Sequence, residues 1–154
     1  MNKIPIKTQS IVPRIDGIGK DVKKLQQLAS ITKEEFCDKE KDYFDVAKSR
    51  LHEALEGVFH IGAHILSRLE GGRTTEYKEI AKKLGDFGIV SRDFADGALA
   101  RMAGYRNRIV HFYAEVTPEE IYKTIHNDLG DFDIFLKAIK NILEHPEKFG
   151  LEIE

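Results

Sequence analysis

Residues 39–70 read KEKDYFDVAKSRLHEALEGVFHIGAHILSRLE. Within them Phe44, Ala47, Leu51, Leu55, Val58, Gly62, Ile65 and Leu69 recur at three- and four-residue intervals, the spacing that gathers side chains on one face of an α-helix. At a rise of about 1.5 Å per residue the segment predicts a helix of roughly 45 Å, closed by the Gly71-Gly72 pair. A helix of that length in a chain of 154 residues serves as the spine of a bundle. The flanking sequence agrees with this. Strand patterns are almost absent, and helical patterns fill the chain on both sides.

Upstream, Ile15, Ile18, Val22, Leu25 and Leu28 predict a first helix over residues 14–31, with residues 1–13 expected to form a flexible N-terminal arm. Thr32-Lys-Glu-Glu35 reads as a capping box that opens a short turn or the long helix itself. Downstream, Thr74 or Thr75 is placed to cap a helix over 76–84. Ser91 caps another over 92–113, with a core stripe of Ala95, Ala98, Met102, Tyr105, Ile109 and Phe112. Thr117-Pro118-Glu119-Glu120 joins an N-cap, a proline at the first helical position and a closing glutamate, so the last long helix starts at Pro118. Gly130 bends or breaks that helix, and His145-Pro146 ends it. The expectation is an all-α fold, an antiparallel up-and-down bundle of about five helices in a single domain spanning residues 1–154.

Composition narrows the function classes. A hydrophobic fraction of 42% is too high for a disordered chain, and no run of about 18 apolar residues exists to span a membrane. The N-terminal stretch lacks the apolar core of a signal peptide. The single cysteine, Cys37, excludes a disulfide framework and a cysteine-based zinc cluster. These features lead us to expect a soluble cytoplasmic protein without a membrane partner. A net charge of -2 argues against a sequence-blind nucleic-acid coat.

Three groups of residues carry possible chemistry. His52, Glu56, His60 and His64 form a four-residue ladder on the long helix. A His-x3-His pair is a metal-binding spacing, but the ligand set is thin, and a solvated or interface-facing polar side explains the ladder better. Cys37 has no activating base near it in sequence and reads as a small structural residue. The third group is the segment RMAGYRNRIVHFY, residues 101–113. Arginine grips phosphate bidentately and histidine exchanges a proton near neutral pH, a pairing suited to phosphodiester cleavage without a metal. Arg106 and His111 diverge by about 140° on a helix, so a shared site requires Arg106 to reach round or a second subunit to complete it. The competing reading is that cations merely favour a helix C-terminus. Nothing in the sequence calls for a cofactor or a metal site.

Arg106-Asn107-Arg108-Ile109-Val110-His111-Phe112-Tyr113 resembles the Arg-x4-His-x-Tyr motif of the HepT toxins of the HEPN superfamily. Arg50-Leu-His-Glu-Ala-Leu-Glu56, Ala100-Arg-Met-Ala-Gly104 and Tyr113-Ala-Glu-Val-Thr-Pro-Glu-Glu120 resemble segments of the same family, and the similarity extends over about residues 14–145. Phe112 departs from the pattern, since many relatives carry glycine or a small residue there. The resemblance implies a metal-independent ribonuclease toxin, a homodimer with two motif copies facing one cleft. Arg106 and His111 would be catalytic, and Asn107 would orient the phosphate or His111. Arg101 and Arg108 would grip the RNA backbone. It also implies a nucleotidyltransferase antitoxin of the MNT or MntA type that transfers AMP to the motif tyrosine, here Tyr113, although Tyr113 also reads as plain packing. HEPN folds serve as non-catalytic nucleotide- or protein-binding modules too, and fold alone does not choose.

The charge divides at this motif. Residues 1–114 hold 20 Lys and Arg against 16 Asp and Glu, a net of +4, and residues 115–154 hold 4 against 10, a net of -6. The near-neutral total therefore hides a basic body, which is compatible with a small cationic cleft that admits RNA.

Overall fold

The computed structural model describes residues 3–112 and 115–154. Its elements, in order, are α1 (Thr8–Ala29), α2 (Lys33–Phe36), α3 (Tyr43–Leu66), α4 (Tyr77–Asp86), α5 (Arg92–Phe94), a π-helical turn (Ala95–Leu99), α6 (Ala100–His111), α7 (Pro118–Asn127), α8 (Gly130–Glu144) and a 3-10 turn (Pro146–Phe149). The fold is an all-helical bundle, as the periodicity predicts. No helix among the described residues is long and apolar enough to cross a membrane.

The long helix α3 is the spine. It packs against α1, α4, α6 and α7, and so buries residues on several faces, among them Leu51, Leu55, Val58, Phe59, Ile61 and Ile65. It is shorter than the apolar pattern suggests. The chain leaves the helix at Ser67, whose hydroxyl donates to the His64 carbonyl at 2.6 Å, and single turns then lead to Gly71 at φ 77°. Two glycines let the layers around the site approach closely. A Cβ on Gly62 of α3 would meet Ile80 and Leu84 of α4 at 3.0 Å, and one on Gly85 of α4 would meet the Ala95 Cβ in the π turn at 2.6 Å. α4 is thus wedged between α3 and the start of α6.

Three sequence signals for helix starts are realised. The Thr32, Ser91 and Thr117 hydroxyls accept from the backbone N–H groups of Glu35, Phe94 and Glu120 at 3.3, 3.1 and 3.2 Å. Elsewhere the structure corrects the expectation. From Ile6 onward the segment expected as a flexible arm is folded in: α1 begins at Thr8, Ile6 is fully buried, and Ile6 pairs in parallel with Ile153 through bonds of 2.8 and 3.0 Å. Pro13 falls in the second turn of α1, where it gives no N–H to the Gln9 carbonyl, yet the helix runs through it. The expected stripe of the fourth helix is also incomplete. Ala95, Met102 and Ile109 are buried, whereas Phe112 is 56% exposed, because α6 ends at His111 and the backbone turns away at φ -131°.

Candidate functional site

Three helices converge on one carboxylate, that of Glu56 on α3. Arg106 of α6 donates from Nε to Glu56 Oε1, and the Tyr77 hydroxyl at the start of α4 donates to Oε2 at 2.9 Å. His52 and His60, one helical turn to either side, bring their Nε2 atoms within 3.5 Å of the same group. Behind His60, Arg14 of α1 donates to Nδ1 at 2.9 Å. An arginine can only donate, so Nδ1 accepts and the His60 proton sits on Nε2, facing Glu56. Burial and the Arg14 charge lower the His60 pKa, which keeps the ring neutral near pH 7.

Burial by itself would raise the Glu56 pKa, but the bonds from Arg106 and Tyr77, the Arg106 charge and His52 together hold it below the usual value. Burial and the neighbouring Glu56 push the Tyr77 phenol up to about 12, so it remains a donor. The Tyr77 ring stacks on Phe59 with centroids 4.9 Å apart and supports the Arg106 guanidinium, whose central carbon lies 4.1 Å from the ring centroid. Arg106 Nη1 donates to Asn107 Oδ1 at 3.2 Å, and Nη2 has no hydrogen bond among the described residues.

Arg106, Asn107 and His111 line one open recess with Thr75, Glu76 and Tyr77. The angular separation between Arg106 and His111 is bridged because Arg106 reaches across to α3 and His111 lies exposed on the last turn of α6. The recess therefore presents a half-buried cation beside an accessible imidazole. That pair can bind an oxyanion and move a proton next to it.

The other expected site residues lie elsewhere. Arg108 is held bidentately by Glu120 at 2.6 and 3.0 Å, and Arg101 borders an apolar recess formed with Leu129 and Phe132. Neither joins Arg106. Tyr113 lies outside the described residues. His64 accepts from the Lys7 backbone N–H at 3.1 Å and ties the start of α1 to α3. Among the described residues no group of three or more His, Cys, Asp and Glu side chains is placed to hold a metal ion. Cys37 is half-buried, and burial with the nearby Glu119 pushes its thiol up, away from the reactive thiolate. Sequence reasoning missed Tyr77 and Arg14 altogether and read Glu56 as part of a solvated ladder. The available signal was the placement of Glu56 between two histidines at four-residue spacing.

Against this geometry, the family model of "Ribonuclease HepT-like" proteins matches residues 18–139. A curated protein, the tRNA nuclease HepT of Aphanizomenon flos-aquae, is 24% identical over 133 residues, covering 86% of this chain and 89% of its own. In fold, the chain is similar to the tri-AMPylated Shewanella oneidensis HEPN toxin solved in complex with an MNT antitoxin, with a TM-score of 0.75 and 24% identity over 85% of this chain and 96% of that one. A toxin–antitoxin structure solved with AMP-PNP gives a TM-score of 0.70 at 23% identity, over 84% of this chain and 96% of the other.

Proposed function

The chain belongs to the HepT-like ribonuclease family, and on that premise we propose that it is the metal-independent ribonuclease toxin of a toxin–antitoxin pair. The observation that carries this reading is the recess itself, which Arg106 and His111 of α6 both line. His111 moves the proton of an RNA 2′-hydroxyl, or of the leaving 5′-oxygen, as the 2′-oxygen attacks phosphorus. The 5′-oxygen departs and a 2′,3′-cyclic phosphate is left. Arg106 stabilises the charge that gathers on the phosphate oxygens. Asn107 orients Arg106, consistent with its 3.2 Å contact.

A homodimer fits the surface around the motif. Val110 and Phe112, flanking His111, are 38% and 56% exposed, and a second copy covering them would bring two motifs to one cleft. The antitoxin is an MNT-type nucleotidyltransferase that transfers AMP to Tyr113. The relative solved as a tri-AMPylated toxin with its MNT antitoxin supports this assignment. Nucleotides added two residues from His111 would bring negative charge to the recess and compete with RNA for Arg106.

Purified protein in EDTA should cleave a defined RNA and spare the same strand carrying a 2′-deoxynucleotide at the cleavage position. Dependence on added metal, or cleavage of the deoxy strand, would contradict the mechanism. After co-expression with the nucleotidyltransferase, mass spectrometry should place AMP on Tyr113. Equal labelling of Tyr113→Phe would remove that site.

A further inference from the structure

An arginine side chain has many rotamers to lose, so a guanidinium that must meet a phosphate in one geometry needs something to hold it still. We propose that Glu56 is the positioning residue for Arg106: with Tyr77 and Asn107 it fixes the guanidinium so that its Nη1–Nη2 edge faces the recess in which His111 stands. This inference rests on the ribonuclease reading and deepens it.

A guanidinium has five N–H donors. Glu56 accepts the one on Nε, Asn107 accepts one on Nη1, and the Tyr77 ring covers one face. Nη1 keeps one N–H and Nη2 two; the Nη1–Nη2 edge can offer one from each nitrogen to an oxyanion bidentately, while the second Nη2 hydrogen points along the Nε side. Each restraint comes from a different place: Glu56 from α3, Tyr77 from α4 and Asn107 from α6 itself. Glu56 is restrained in turn, by the Tyr77 hydroxyl on one oxygen and by His52 and His60 alongside, with Arg14 fixing the His60 tautomer. The alternative is that Glu56 is a counter-ion that RNA has to displace. The geometry disfavours it, because Glu56 occupies the Nε side and leaves Nη2 open.

The two roles separate in kinetics. The experiment measures kcat and KM for a defined RNA in EDTA, using wild type, Glu56→Ala, Glu56→Gln and Tyr77→Phe. Positioning predicts that Glu56→Ala lowers kcat by about 10- to 100-fold, in keeping with the cost of misplacing a catalytic group. KM should stay unchanged or fall, because the guanidinium charge remains and a neighbouring negative charge that would repel the phosphate has gone. Glu56→Gln keeps an oxygen that accepts from Nε, so its kcat should lie between those of Glu56→Ala and wild type. Tyr77→Phe keeps the ring but frees one Glu56 oxygen, and should lower kcat by less than about tenfold. If Glu56→Ala does not fold, the isosteric Glu56→Gln and Tyr77→Phe still report the split.

Wild-type kcat in the Glu56 variants, or a higher kcat in both, would overturn the positioning role. A lowered melting temperature with unchanged kcat would make Glu56 merely structural and overturn it as well. A wild type that cleaves no RNA would instead defeat the ribonuclease reading on which the inference stands.

Discussion

Arg106 and Arg108 are two residues apart on α6, and each is paired with a glutamate and lies near a tyrosine ring. The difference between them lies in which hydrogens remain. Arg108 gives both terminal nitrogens to Glu120 and clamps α6 to the first turn of α7. Its side chain is 41% exposed, against 20% for Arg106. Arg106 spends Nε on Glu56 and one hydrogen of Nη1 on Asn107, and keeps its outer edge for the recess. The same residue type in the same kind of ion pair is therefore a strut on one side of the helix and, in the function proposed above, a preorganised hydrogen-bond donor to phosphate on the other. Counting arginines along the motif does not distinguish them.

The contrast can be broken most sharply with histidines. His111 on the recess side and His126 on α7 are both exposed, and His126 Nδ1 lies 2.7 Å from the Tyr122 carbonyl. His111→Ala should cut RNA cleavage by about 10²- to 10⁴-fold, the usual range for a lost general acid–base, and His126→Ala should leave the rate unchanged. Equal effects in a cleavage assay would erase the distinction between the two sides.

A third arginine–carboxylate pair sharpens the comparison in pH. Arg50 donates to Asp21 Oδ1 at 3.2 Å, but Asp21 is 2% exposed and Oδ2 has no hydrogen-bond partner among the described residues. Burial pushes this carboxyl up from 3.8 to about 6 despite Arg50. Between about pH 4 and 6 the folded state therefore holds a proton that the unfolded chain has lost, and this group's contribution to stability falls as pH rises through that window. Asp21→Asn keeps an acceptor for Arg50 and removes the titration. It should flatten the pH dependence of the urea midpoint and stabilise the protein at pH 7 by about 2 kcal/mol. An unchanged pH slope would show that Asp21 stays ionised.

Smaller effects belong to the strut side. Thr117→Ala removes the hydroxyl that caps α7 beside Glu120 and should cost about 1 kcal/mol in chemical denaturation. Arg108→Ala breaks a partly exposed pair and should cost only about 0.5 kcal/mol. A loss several times larger would mean that the Arg108 clamp is a principal tie of the bundle.

Much of the bundle was legible because local chemistry determined it. The α3 periodicity and the hydroxyl caps at Thr32, Ser91 and Thr117 depend on residues within one or two turns of each other. The start of α1 was not, because the residue that pairs with the buried Ile6 lies at the far end of the chain. Nor was the π turn, since Ala95–Leu99 carries no local signal for an extra residue. The site divides in the same way. Arg106, Asn107 and His111 stand out within one short segment, whereas Glu56 and Tyr77 come 50 and 29 residues earlier and meet Arg106 only when α3, α4 and α6 pack.

The most direct measurement is the single-turnover rate of cleavage of one defined RNA, in EDTA, by wild type, Arg106→Ala and Arg108→Ala. Loss of a preorganised charge-stabilising donor should slow Arg106→Ala by about 10²- to 10³-fold, while Arg108→Ala stays within a few-fold of wild type. Equal rates for the two variants would contradict the assignment of the recess as the catalytic side of α6.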